Sequence, residues 1–211
     1  MTERIWLDAL EATRPYQWLR LQMNRGLVSF LQRAVLEGHQ ELRLAEVACG
    51  SGFAAHLLSQ FPQVGLSIAA DLNLEDYRQA HIPAFQAAFL LTDLFRPAIQ
   101  PESLDLVWNS SSIEEIDNPE QAVACMARLA KPGGMVFVGV PSRYGLAGLL
   151  RLLPSARTRA WLGRVYSLAQ LRSLLAGAGL QPVRHTSYLF GTFIGVLAQK
   201  NPLASAPSIS R

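Results

Sequence analysis

The sequence predicts an α/β fold: a doubly wound, mostly parallel sheet of seven strands, the last one reversed, with helices ahead of it. Three observations predict it. From residue 42 onward, short apolar runs alternate with segments of helical periodicity, the pattern of strand–helix units that place helices on both faces of a parallel sheet. One junction, Glu46 to Phe53, reads strand, glycine turn, helix. The last two apolar runs are separated only by a short turn containing Gly191, so they pair as a hairpin.

Residues 1–40 read as an N-terminal helical cap. Leu7, Leu10, Trp18, Leu21, Leu27, Leu31 and Val35 recur at roughly helical spacing. Thr13 can cap a helix, and Pro15 suits its first turn. Residues 41–200 form the main domain. Its strands are expected at 42–47, 65–70, 87–91, 104–108, 135–140, 181–190 and 192–199. Helices are expected at 54–60, 74–80, 119–129 and 168–178. Lys131-Pro132-Gly133-Gly134 suits a helix C-terminus followed by a turn into the fifth strand. The tail 201–211, rich in Ser, Ala and Pro, is expected to be disordered. No repeat or linker divides the domain.

With 211 residues, half of them hydrophobic, the chain is sized for one globular domain with a full core. The most apolar stretch, 186–198, is interrupted by Gly191 and Gly195 and reads as two strands rather than a membrane span. Met1-Thr2-Glu3-Arg4 has no apolar core behind it, so no signal peptide is expected. Cys49 and Cys125 make no disulfide framework. These features point to a cytoplasmic protein with free thiols. His39, His56, His81 and His185 show no metal spacing, and no metal is expected. All 16 acidic residues lie at or before Glu120, and 11 of the 19 basic residues lie after it. Such a split suits an anionic partner for the C-terminal half, unless folding interleaves the two halves.

In the Glu46–Phe53 junction, Gly50 and Gly52 let the backbone bend and approach a ligand. The helix that follows offers unpaired N–H groups. The dinucleotide spacing G-x-G-x-x-G is met only with Ala55 at its third glycine. Glu46 puts a carboxylate beside the loop, which repels a pyrophosphate and attracts an ammonium or sulfonium. That charge points away from NAD and towards S-adenosylmethionine.

Five segments then fall in order: Glu46 to Phe53, Ala69-Ala70-Asp71-Leu72, Thr92-Asp93-Leu94, Leu104-Asp105-Leu106-Val107 and Lys131-Pro132-Gly133-Gly134. Together they resemble the class I S-adenosylmethionine-dependent methyltransferases, whose sheet is Rossmann-like, and most of all the small-molecule group that includes the ubiquinone and menaquinone biosynthesis methyltransferases. The resemblance runs from about residue 42 to 200. It implies that Glu46 sits near the methionine amino end, with Ala48, Cys49, Gly50 and Gly52 in the cofactor loop. It implies that Asp71 takes the ribose hydroxyls, Leu72 packs on adenine, and Asp93 and Leu94 meet the adenine edge. Asn109 and Ser110 would lie beside the sulfonium. Glu46, Asp71, Asp93 and Asn109 all fall at carboxyl ends of strands, where such sheets bind ligands. Two positions depart from the family. Ala48 replaces the first loop glycine, and Glu114-Glu115 stands where the family often has Glu-His.

Direct displacement at the sulfonium methyl needs alignment and a dry site, and a base only if the acceptor loses a proton. Glu115, His81 and Tyr144 are the candidates for that base; Glu114 and Glu115 could equally serve a helix N-terminus. Tyr16 and Trp18 could form a lid or pack the first helix. The segment 143–164 carries Arg143, Arg151, Arg157, Arg159 and Arg164 among Leu146, Leu149, Leu150, Leu152, Leu153, Trp161 and Leu162. It could meet an anionic membrane surface or a lipid-like or phosphorylated substrate, or be a helical cover with solvated arginines. The expected acceptor is a small molecule, hydrophobic or anionic. A nucleic-acid acceptor is disfavoured: Asn109-Ser110-Ser111-Ser112 occupies the place of an Asn/Asp-Pro-Pro-Tyr segment, and there is no Pro-Cys nucleophile. A non-catalytic protein that kept the fold is the remaining alternative.

Overall fold

A computed structural model describes residues 14–80, 82–150, 152 and 163–202. The expected disorder of the tail and the first third of the helical cap therefore lie largely outside the described residues, as does His81. Helix α1 (Arg14–Leu31) runs into one π-helical turn, Gln32–Leu36, closed by Glu37 N–H on Gln32 O at 3.2 Å. Then follow β1 (Leu42–Val47), α2 (Phe53–Ser59), β2 (Val64–Asp71), α3 (Glu75–Ala80), β3 (Ala88–Leu91), β4 (Leu104–Ser110), α4 (Pro119–Leu129), β5 (Ala130–Pro141), α5 (Leu146–Leu150), α6 (Leu168–Gly177), β6 (Leu180–Tyr188) and β7 (Phe193–Lys200).

The seven strands form one sheet in the order β3-β2-β1-β4-β5-β7-β6. All pairs from β3 to β5 are parallel, and β7 lies antiparallel between β5 and β6. The reversed last strand is thus inserted into the sheet rather than added at its edge. The order reverses between β1 and β4, which puts the ligand crevice beyond their carboxyl ends. The expected turn at 131–134 sits inside β5 as a bulge: the ladder steps from Leu104–Ala130 to Leu106–Met135. Lys131 Nζ closes it onto Asp105 at 2.7 Å.

Each face of the sheet carries a core. On one, Leu27 and Leu31 of α1 and Ala54, Ala55 and Leu58 of α2 cover Leu44, Leu106, Trp108, Phe137 and Tyr188. On the other, Val123 and Met126 of α4 and Leu171 and Leu175 of α6 cover Val107, Val136 and Val138. The covering helices are locally specified. Asn118 Oδ1 accepts from Gln121 N ahead of Pro119 at the start of α4, and Ser167 and Gln170 form a reciprocal capping box on α6. Lys131 meets Asp105 and Lys200 meets Glu102. At both places folding joins the acidic and basic halves of the chain. No helix among the described residues is long and apolar enough to cross a membrane.

Candidate active site

The loop after β1 winds through positive φ at Ala48 (50°), Gly50 (54°) and Gly52 (69°). A Cβ at Gly52 would stand 2.8 Å from the Cβ of Ala69, so glycine is required there by both dihedral and space. Ala48 takes the same left-handed conformation with a methyl group, the strained version of the family's glycine. The loop leans on the end of β2. Gly50 N donates to Asp71 Oδ2 at 2.7 Å, Asn73 N donates to Asp71 Oδ1 at 2.8 Å, and Cys49 N donates to Ala70 O at 3.2 Å. An ionised carboxylate has about four acceptor sites, so Asp71 keeps capacity for two hydroxyls.

Beside it lies a cleft of about 180 Å³. Ala48, Asp71, Leu72, Asp93 and Leu94 line it, with an apolar wall that includes Pro97, Ile99 and Ile116. Five sequence-derived candidates are therefore brought together. Asp93 Oδ1 accepts from Phe95 N at 2.8 Å, which fixes the turn after β3. Leu72 is 72 % exposed, an apolar side chain left open at the cleft mouth.

Glu46, Cys49, Gly50, Gly52, Asn109 and Ser110 stand behind or beside this cleft rather than in its wall. Glu46 is buried, and its Oε2 accepts from Ala55 N, in the first turn of α2, at 3.0 Å. Burial raises its pKa to about 8, against the opposing pull of the Ala55 N–H, the Trp108 indole and the Arg20 charge. Trp108 pairs with Glu46 in register, yet its buried Nε1 meets no partner in hydrogen-bonding geometry among the described residues. Its dipole is felt without a formed bond. Burial pushes the Cys49 thiol up, and Glu46 and Asp71 add to the effect, which disfavours the thiolate.

Asn109 is fully buried. Its Nδ2 donates to Val47 O at 2.7 Å and its Oδ1 accepts from Ile113 N at 3.2 Å. The side chain ties the ends of β1 and β4 together. Ser112 Oγ adds a second tie to Ala48 O at 3.0 Å. Ser110 Oγ lies 2.9 Å from Tyr188 OH, which reaches from β6 across β7 and β5. Gly139 makes room for it: a Cβ there would collide with the tyrosine oxygen.

The expected base candidates lie in different surroundings. Glu115 and Tyr144 are exposed, the latter at 83 %, so burial does not prepare either to take a proton in a dry site. His81 lies outside the described residues. Glu114 is the buried member of its pair, with its pKa raised to about 8 chiefly by burial and an Oε2 that meets no hydrogen-bond partner among the described residues. Tyr188, Trp108 and Ser112 carry no sequence signal as site residues; only long-range pairing brings them here. Trp18 is half exposed, while the Tyr16 side chain lies outside the described residues. In the 143–164 segment Arg143, Tyr144, Leu146, Leu149 and Leu152 are exposed, and Arg151, Leu153, Arg157, Arg159, Trp161 and Leu162 lie outside the described residues.

Strand order, cleft position and loop geometry are those of the class expected from the sequence, and comparison with known proteins agrees. A methyltransferase domain family matches residues 19–185, and the chain belongs to it. Among curated proteins it is similar to the ubiquinone biosynthesis O-methyltransferase of Rhizobium etli, 24 % identical over 191 residues covering 83 % of this chain and 69 % of that one. The Klebsiella pneumoniae enzyme of that name is 25 % identical over 118 residues, 53 % of this chain and 47 % of its own. The chain thus spans about half the length of the latter relative. Among solved structures, a possible histamine N-methyltransferase from Thermotoga maritima superposes with a TM-score of 0.69 at 20 % identity, covering 94 % and 97 % of the two chains. Magnesium protoporphyrin IX methyltransferase from Synechocystis, with bound SAH, gives 0.67 at 18 % identity over 90 % and 89 %. At these identities the structures speak to the fold alone.

Proposed function

We propose that the chain transfers a methyl group from S-adenosylmethionine to a small-molecule acceptor. The observation that carries this is the cleft where Asp71 and Asp93, from the ends of two strands, face an apolar wall under the glycine loop. The donor set fits the cofactor. A carboxylate with spare acceptor capacity suits a ribose diol, Leu72 and Ile116 suit the faces of a purine, and Glu46 is a buried carboxyl that an ammonium would ionise. When bound, S-adenosylmethionine supplies an electrophilic methyl on a sulfonium sulfur. The protein's part is to hold acceptor and methyl in line and keep water out. Ala48, Cys49 and Gly50 present backbone to the methionine end, Asp93 and Leu94 meet the adenine edge, and Ser110 lies towards the acceptor.

Residues 41–200 are the working domain, and 1–40 its cap. The acceptor is hydrophobic or anionic in this reading, and the protein cytoplasmic. The 143–164 segment, with exposed Tyr144, Leu146, Leu149 and Leu152 beside Arg143, is the face that meets such a molecule or the anionic membrane that carries it. Sedimentation with phosphatidylglycerol vesicles, but not phosphatidylcholine vesicles, is the expected result for the membrane case.

Calorimetric titration with S-adenosylhomocysteine tests the cofactor assignment. Micromolar binding, absent for NAD and weakened at least about 100-fold in Asp71→Ala, is expected, that factor being roughly 2.7 kcal/mol. A folded wild type that binds neither compound sinks the reading. A thermal melt of the variant guards against simple unfolding, since Asp71 also anchors Gly50 and Asn73.

A further inference from the structure

One buried group has no part in holding the cofactor. The loop after β4 is clamped on every side: Ile113 N on Asn109 Oδ1, Ser112 Oγ on Ala48 O, and Ser111 N on Gly139 O at 3.0 Å. The chain after residue 163 closes over it. Arg164 N donates to Glu114 O at 3.2 Å, and the guanidinium donates to Ile116 O and Asp117 O at 3.0 and 3.2 Å. Gly163 lies so close that a Cβ there would stand 3.1 Å from the Cγ of Glu114. Ser111 is held at a φ of 67°, a strained value for a serine. Inside this frame Glu114 is 6 % exposed, and its Oε2 has no hydrogen-bond partner among the described residues. An unmet oxygen in a site this constrained is costly. Oxygen-bearing side chains distant in sequence gather around it: the Ser111 hydroxyl lowers the carboxyl's pKa, Tyr188 feels its charge, and Ser110 lies 2.9 Å from Tyr188 OH. Ile116, two residues on, lines the cofactor cleft.

We propose that Glu114 is the catalytic base, its free carboxyl oxygen receiving the proton of an O–H or N–H nucleophile on the acceptor. This rests on the methyltransferase reading above. The nucleophile's lone pair forms the new bond to the methyl carbon, the carbon–sulfur bond breaks with its electron pair going to sulfur, and the proton passes to Glu114 and then to solvent. The products are the methylated acceptor and S-adenosylhomocysteine. Only the ionised carboxyl can take that proton. Of the groups facing it, exposed Glu115 disfavours ionisation, the Ser111 hydroxyl favours it, and Tyr188 is neutral with its own pKa pushed up by burial. The Arg164 guanidinium is turned to backbone carbonyls, and Asp117 is exposed. Burial prevails, holding the group near 8. The base form therefore accumulates as pH rises through that value.

The test uses the full chain and three readouts. S-adenosylhomocysteine affinity is measured first; its loss in wild type would condemn the cofactor reading rather than this one. Catechol, as the O–H probe, and benzylamine, as the N–H probe, are then assayed with S-adenosylmethionine from pH 6 to 9.5. The expected result is turnover of one probe that climbs through about pH 8. In Glu114→Gln turnover should fall by about 10²–10⁴-fold and the pH limb should vanish, with S-adenosylhomocysteine affinity within twofold. Infrared difference spectra supply a signal independent of turnover. A protonated-carboxyl band absent in Glu114→Gln should shift when the methylated probe's parent is added to the S-adenosylhomocysteine complex. The proposal is overturned if Glu114→Gln keeps the rate or the limb, if Glu115→Gln carries the effect instead, if the band does not respond, or if a wild type that binds S-adenosylhomocysteine turns over neither probe.

Discussion

Of the neighbouring strands, β1 carries a buried glutamate and β4 leads to another, and the two are nearly matched in burial and in acidity. Glu46 is 5 % exposed and Glu114 6 %, and burial holds both pKa values near 8. They differ in company. Glu46 accepts the Ala55 N–H and so finishes the first turn of α2; Glu114 leaves an oxygen unmet. Equal burial thus hides unequal company: one carboxyl is bonded into the fold before any ligand arrives, while the other keeps an oxygen unmet among the described residues.

The sharpest way to break that comparison is through ligand affinity. Glu46→Gln should weaken S-adenosylhomocysteine about 10–100-fold, an ammonium-facing charge being worth roughly 1.5–3 kcal/mol, whereas Glu114→Gln should leave it within twofold. In calorimetry at pH 7 across buffers of different ionisation enthalpy, wild type should release a proton on binding, because the ammonium ionises Glu46. Glu46→Gln should not. The next largest effect is on stability. Glu46→Ala loses the Ala55 bond and opens a cavity, and urea melts should show a cost of about 2–4 kcal/mol. In the like substitution, Glu114→Ala opens a similar cavity but gives up no such bond, so its cost should be lower by about 0.5–1.5 kcal/mol. Similar costs for the two variants would erase the distinction.

A third effect follows from the direction of both pKa shifts. Each carboxyl stays protonated in the native chain up to about pH 8 but ionises near its ordinary value of 4.5 once unfolded. The unfolded chain therefore holds fewer protons between those values, and stability falls as pH rises from about 4.5 to 8. Either glutamine variant should flatten the slope and gain about 1–3 kcal/mol at pH 8 relative to this component in wild type. The smallest expected change is at Ala48. Ala48→Gly relieves a left-handed alanine and should stabilise by up to about 1 kcal/mol, less the added freedom of the unfolded glycine.

The fold was largely legible because its signals are local. The run at 42–47 and the capped helix at 119–129 fall at their expected bounds, set by apolar patterning and by Asn118-Pro119. The bulge at 131–134 has the local sequence of a turn, and its ladder resumes only against β4, a long-range fact. The cleft residues were legible from motif order. The acceptor side was not. Nothing local distinguishes Glu114 from Glu115, since neither lies in a periodic element; the choice is made by Gly163 and Arg164 packing over one of them. Tyr188 joins Ser110 across 78 residues of sequence.

The insertion of β7 between β5 and β6 has a consequence for synthesis on the ribosome. Until residues 193–200 have emerged, β5 has no neighbour on that side, and its Val136, Phe137, Val138 and Val140 border an open edge. Such an edge is a template for pairing with another chain. The nascent protein is therefore most exposed to aggregation late in translation. A stalled or truncated chain ending near residue 180 should be a substrate for chaperones rather than a weakened enzyme.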